Sequence, residues 1–180
     1  MPEFKSLEQL ENYLKIKEIR NKVFKDERIR QVLAEEMSKA VQKVVYDAYK
    51  PKKYIRRKEN GGLIDEANMH ITYVGLEGDF LGEQIVVYFE NLTTAQRTNL
   101  PIYGYAEDSL EGLFITDAIV EGYDAADERL DWYNPDEKDE SGNRVGDPRD
   151  FISETIKNIK ANPKPLIDAI KQSFRKIGFR

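Results

Sequence analysis

The sequence predicts an α+β domain. Three observations carry that prediction. Apolar residues recur at helical spacing before residue 50, alternate with period two between His70 and Phe89, and return to helical spacing after residue 150. The expected architecture is long N-terminal helices, a small antiparallel sheet and C-terminal helices packed on it. At 180 residues the chain has the size of one ordinary domain with room for an arm. It divides into a helical extension over 1–28 and a single α+β domain over 29–180, with a polar loop at 133–150.

The helices come first. Residues 6–26 are expected to form one helix, with Ser6 as its cap and Glu8 where a negative charge suits the helix dipole. Its apolar stripe is broken, because a Lys/Glu-rich face separates Leu10, Leu14, Val23 and Phe24. Residues 27–49 make a stronger helix. Ile29, Leu33, Met37, Val41, Val44 and Ala48 keep a three-or-four spacing, and Asp26 is placed to cap them. Pro51 is expected to end the helix, since a residue before proline is driven out of the helical region. Gly61-Gly62 then marks a turn.

His70 to Leu76 reads as a strand and Gln84 to Phe89 as its antiparallel partner, with Glu77-Gly78-Asp79 turning the chain between them. His70 falls on the solvent face, as an ordinary polar strand residue or a pH-sensitive contact. Residues 94–113 contain Pro101, Gly104 and Gly112 and read as an irregular insertion. Leu113 to Val120 suits a short helix or a strand. The acidic run in 133–150 reads as a flexible or partner-ordered segment. Phe151, Ile152, Ile156 and Ile159 set an apolar helical stripe, and Asn162-Pro163 breaks it. Leu166, Ile170, Phe174 and Ile177 form the last helix, with Gly178 placed to stop it.

Composition removes several function classes. There is no Cys, hence no disulfide framework, thiolate metal site or Cys nucleophile, and the single His, His70, cannot build a multi-His zinc site. No apolar run is long enough to span a membrane, and Met-Pro-Glu-Phe-Lys-Ser lacks the apolar core of a signal segment. A soluble protein made in a cytoplasm is expected. The net charge of −5 hides a strong asymmetry. Residues 1–58 hold 16 Lys/Arg against 9 Asp/Glu, residues 59–150 hold 5 against 22, and residues 151–180 hold 7 against 2. An acidic middle lies between two basic ends.

The sharpest local feature runs from Tyr46 to Leu63. Lys50, Lys52, Lys53, Arg56, Arg57 and Lys58 interleave with Tyr46, Tyr49 and Tyr54. Three readings stay open. The segment contacts phosphates with aromatic stacking, it docks on an acidic protein surface, or it is a solvated cationic helix end favoured by the dipole. Catalytic patterns are absent from the sequence. Asp136 to Asp147 fails the calcium-loop test, with Lys138 at the third position. Asp65, Glu66 and Glu83 lack the following Lys of a metal-dependent nuclease, and no phosphate-binding glycine loop or nucleophile elbow occurs. The chain is expected to be no enzyme and to need no cofactor or metal.

The order of signals resembles a known family. A long helix leads to Ala48-Tyr49-Lys50-Pro51, then to Gly61-Gly62-Leu63-Ile64-Asp65. A strand ends in Phe89-Glu90-Asn91-Leu92-Thr93. Ala118-Ile119-Val120-Glu121-Gly122-Tyr123 follows, and Pro148-Arg149-Asp150-Phe151 opens a C-terminal helix. Over residues 30–178 this is similar to the tail-component or neck family of long-tailed bacteriophages, which includes tail completion proteins of the minor tail protein Z type. Asp150 stands where that family has Pro, and 94–113 and 133–147 look like insertions. The resemblance implies a virion structural protein at the head–tail junction, made in the host cytoplasm and assembled as a ring. Its implied partners are further copies of itself, the portal or connector, and the tail tube or tail terminator. Genome DNA would pass through without sequence-specific contact, and no membrane is involved. The candidate interface is Tyr49, Lys50, Lys52, Lys53, Tyr54, Arg56 and Arg57. Pro51, Gly61, Gly62, Leu63, Gly122 and Phe151 would set turns or the core. The alternative is a phage-encoded nucleic-acid-binding accessory protein using residues 50–58.

Overall fold

The computed structural model describes residues 5–14, 16–48, 58–79, 82–93, 116–120, 138, 142 and 148–179. Six α-helices and one two-stranded antiparallel sheet make up the α+β architecture: α1 (Leu7–Leu14), α2 (Lys17–Phe24), α3 (Glu27–Val41), β1 (Met69–Asp79), β2 (Gly82–Asn91), α4 (Thr116–Val120), α5 (Phe151–Ala161) and α6 (Lys164–Lys176). Among the described residues no helix is long and apolar enough to cross a membrane.

The helix expected over 6–26 is two helices. Ile16 is extended, with φ −70° and ψ 115°, so the chain breaks there and restarts without a side-chain cap. Ser6 Oγ accepts from the Gln9 amide at 3.3 Å. Val23 on α2 is fully buried, and Tyr13 of α1 meets Phe179 edge-on at 5.2 Å, so both short helices dock on the body near the chain's end.

The central element is α3. Asp26 caps it, accepting from the Arg28 amide at 3.0 Å and from Lys176 Nζ at 2.9 Å. This caps one helix and ties it to the last turn of α6. Burial pushes Asp26 up, but Lys176 and the Arg28 amide outweigh it and hold the carboxyl below the ordinary range. The regular helix stops at Val41. Residues Gln42–Tyr46 form a π turn, closed by Asp47 N on Gln42 O at 2.8 Å. A π turn carries one extra residue. It shifts the inward face from the expected Val44 and Ala48 to Val45 and Tyr46, which are buried.

The core gathers Met37, Val41, Tyr46, Leu63, Met69 and Phe151, with Phe89, Ile119 and Val120 against it. Phe151 has no exposed surface. It brings the start of α5 into the same core as Met69 of β1, while α5 and α6 both pack on α3.

The hairpin is longer than the sequence reading. Pairing runs from Met69 opposite Asn91 out to Asp79 opposite Gly82, so residues 77–79 belong to the strand and do not turn the chain. A bulge falls between Ile71 and Tyr73. It places both Thr72 and Tyr73 outside, where strict alternation would turn Tyr73 inward. His70 is exposed. Residues 116–120 resolve the helix-or-strand alternative in favour of helix.

The stripe expected on α5 does not face the core. Phe151 and Thr155 are buried, while Ile152 and Ile156 are 38% and 47% exposed. The helix is rotated so that its isoleucines look outward. Gly178 ends α6 with φ +99°, and Phe179 N donates to Phe174 O at 3.0 Å, a glycine-terminated helix end.

Candidate interaction site

The turn after α3 is built by three residue types. Gly61 has φ +80° and Lys58 has φ +48°, both left-handed. A Cβ on Gly62 would sit 2.5 Å from the Lys58 carbonyl, whose oxygen accepts from Gly62 N at 2.9 Å. Glycine is therefore required at both positions. Asp65 closes the turn by accepting from Gly61 N at 2.7 Å and Ala67 N at 2.9 Å. Leu63 is buried in the core directly after it.

A buried polar latch holds this turn to the end of β2. Asn91 Nδ2 donates to Leu63 O at 2.7 Å, and its Oδ1 accepts from Thr93 N at 3.1 Å. Thr93 Oγ1 lies 2.5 Å from Asn91 Oδ1 and 3.2 Å from Gly62 O. Asn68 Nδ2 donates to both Thr93 Oγ1 and Gly62 O at 3.2 Å. Thr116 Oγ1 adds α4, donating to Asn91 O at 2.7 Å. Arg149 N then donates to Ile119 O at 2.8 Å. These bonds use up the polar groups of residues that are buried, as burial requires.

The latch fixes the roots of three chain segments. Residues 49–57 leave after Ala48 and return at Lys58; they carry five Lys/Arg and no acid. Residues 94–115 leave at Thr93 and return at Thr116. Residues 121–147 leave after Val120 and return toward Arg149; they hold ten Asp/Glu against three Lys/Arg. A rigid base rooting segments of opposite charge is a common way to present binding surface.

Most of the predicted interface, Tyr49, Lys50, Lys52, Lys53, Tyr54, Arg56 and Arg57, lies outside the described residues, as do Pro51 and Gly122. Gly61, Gly62, Leu63 and Phe151 lie at the turn and core positions given above. Asn68, Asn91, Thr93 and Thr116 went unnoticed in the sequence. Their one signal is Asn91-x-Thr93 directly after an apolar strand.

Two further surfaces carry exposed apolar groups. On the outer face of the hairpin, the rings of Tyr73 and Tyr88 pair at 5.2 Å and are 43% and 47% exposed. Tyr73 lies over Gly75, filling the space a Cβ would take there. Tyr88 Oη donates to Glu77 at 2.5 Å, which raises the Tyr88 pKa because the carboxylate favours the protonated phenol. On α5, a cleft of about 350 Å³ is lined by Ser153, Ile156, Lys157 and Lys160. Glu154 is drawn away from it, with Lys43 at 2.5 Å and Lys157 at 3.3 Å, and these ammonium groups lower its pKa. Among the described residues no cluster of His, Asp and Glu is arranged to hold a metal ion.

Body and site together define a small α+β scaffold that presents charged segments from one hydrogen-bonded base. Residues 6–176 match the model of the YomN family, and the chain belongs to that family. The family is phage-derived, which makes this a phage-associated protein. Neither a curated protein nor a solved structure gives a significant match.

Proposed function

We propose that the chain is a virion structural protein of the head–tail junction, a neck or tail completion component that assembles as a ring. The observation that carries this reading is the latch, which gives oppositely charged segments a common rigid root on one small body. Membership of a phage-derived family agrees with it, as does the resemblance of residues 30–178 to neck proteins. In this reading the protein works by shape and charge and performs no catalysis. A ring subunit needs two different contact surfaces, one for each neighbour. The portal or connector lies on one side and the tail tube or terminator on the other, and the genome passes through the lumen. The protein resides in the virion after assembly in the host cytoplasm.

Imaging of assembled particles carrying a tagged chain tests this directly. Density at the junction and crosslinks to portal or tail-tube proteins are the expected result. A chain absent from the particle overturns the reading. Steeply salt-dependent DNA binding that is lost on Arg56→Ala and Arg57→Ala would instead favour the nucleic-acid-binding alternative.

A further inference from the structure

Two exposed surfaces of this chain complement each other in shape class and in charge. The first is the outer face of the hairpin. The strand register puts Tyr73, Gly75 and Glu77 beside Gln84, Val86 and Tyr88 on one side of the ribbon. The bulge at Ile71/Tyr73 is what turns Tyr73 onto this face. The Tyr73–Tyr88 pair is a rigid aromatic knob, supported below by Gly75 and bonded at its edge to Glu77. Aromatic pairs of this kind, half exposed with a polar tip, are the commonest anchors of protein interfaces.

The second surface is the outward face of α5. Ile152 and Ile156 lie one turn apart and exposed, and Ile156 lines the cleft with Ser153, Lys157 and Lys160. Lys157 already pairs with Glu154. Lys160 meets no carboxylate among the described residues and stands exposed at the rim. The chain around it, residues 151–180, has seven Lys/Arg against two Asp/Glu. An apolar cleft edged by cations suits an aromatic knob edged by a carboxylate.

We infer that the occupant of the α5 cleft is the hairpin of a second copy of this chain, with Tyr73 and Tyr88 against Ile152 and Ile156 and Glu77 toward Lys160. Knob and cleft are different surfaces, so the contact is heterologous. Each copy uses its hairpin on one neighbour and its α5 on the other, and such contacts close into a ring or run into a filament. This deepens the ring reading above and rests on it.

Light scattering and sedimentation of the full chain over a concentration series test the inference. Wild type is expected to form higher oligomers. Tyr88→Asp disables the knob and Ile156→Asp disables the cleft, and each is expected to weaken association by about tenfold or more. Both residues are exposed, and circular dichroism checks that the fold persists. Mixing the two variants leaves one intact knob–cleft pair, so a one-to-one dimer that grows no further is expected. The pair Glu77→Lys and Lys160→Glu supplies a second route: each alone weakens association, and the double variant restores it. Oligomers that both apolar variants leave unchanged overturn the knob-and-cleft contact, as does a mixture that extends beyond dimers. A chain monomeric at every concentration overturns it too. The ring reading fails separately, by absence of the protein from the junction of assembled particles.

Discussion

The core around Phe151 and the latch around Asn91 are both buried, yet they hold the molecule in different ways. The core is a set of apolar side chains from α3, the Leu63 turn, β1 and α5, each making many weak contacts. Losing one member costs in proportion to the volume lost. The latch is a short chain of directed bonds among Asn68, Asn91, Thr93 and Thr116. Losing one member strands its partners without water. The core therefore sets how stable the body is. The latch sets where three segments of chain depart from it. Polar burial is concentrated where position matters more than adhesion.

Substitution at the centre of each region separates these roles. Phe151→Ala empties the middle of the core and is expected to cost about 3–5 kcal/mol, read as a lowered urea midpoint for the whole body. Asn91→Ala leaves the Leu63 carbonyl and the Thr93 amide unpaired and is expected to cost about 1–3 kcal/mol. Its sharper signature is local. Amide exchange at Leu63, Thr93 and Thr116 should rise more than exchange in α3. If exchange in α3 rises equally, the two regions are one cooperative unit and the contrast drawn here is wrong.

The smallest expected effect lies between the two, at the Asp26–Lys176 tie. Asp26→Ala removes a helix cap and is expected to cost about 1–2 kcal/mol. The pH dependence has a definite sign. Asp26 titrates below its ordinary value of 3.8 in the folded chain, so the unfolded chain takes up its proton first as pH falls. The stability it contributes is complete above the ordinary carboxylate range and is lost as pH drops through and below 3.8. Thermal melts of wild type and Asp26→Ala at neutral pH and at pH about 3 should therefore converge in acid.

Elements that announce themselves through periodicity were legible in the sequence. Helix α3 follows from Ile29, Leu33, Met37 and Val41, and the hairpin follows from alternation on both sides of residue 80. Legibility ends wherever a residue is added to a regular pattern. The π turn at Gln42–Tyr46 and the bulge at Ile71/Tyr73 each insert one residue, so every later side chain changes face. On α5 the composition is right but the face is ambiguous. Phe151 and Thr155 turn inward and the isoleucines turn outward, because α5 enters the core through its first residue. The latch was invisible for another reason. Asn68, Asn91, Thr93 and Thr116 are polar, and their burial depends on carbonyls brought near by the fold. Of the candidate site, the Gly61-Gly62 turn was readable from local chemistry alone. The knob on the hairpin was not, since it exists only through a bulge.

The π turn has one more consequence, which concerns aim. Each residue of a helix advances the chain about 100° around the axis. The extra residue in Gln42–Tyr46 therefore swings the departure of the chain after Ala48 by a large fraction of a circle, while Tyr46 stays seated in the core. Removing one residue there would leave the composition of the following lysines and arginines unchanged and point them elsewhere. The bearing of the most cationic stretch of this molecule is thus set by a count of residues upstream, not by its own sequence.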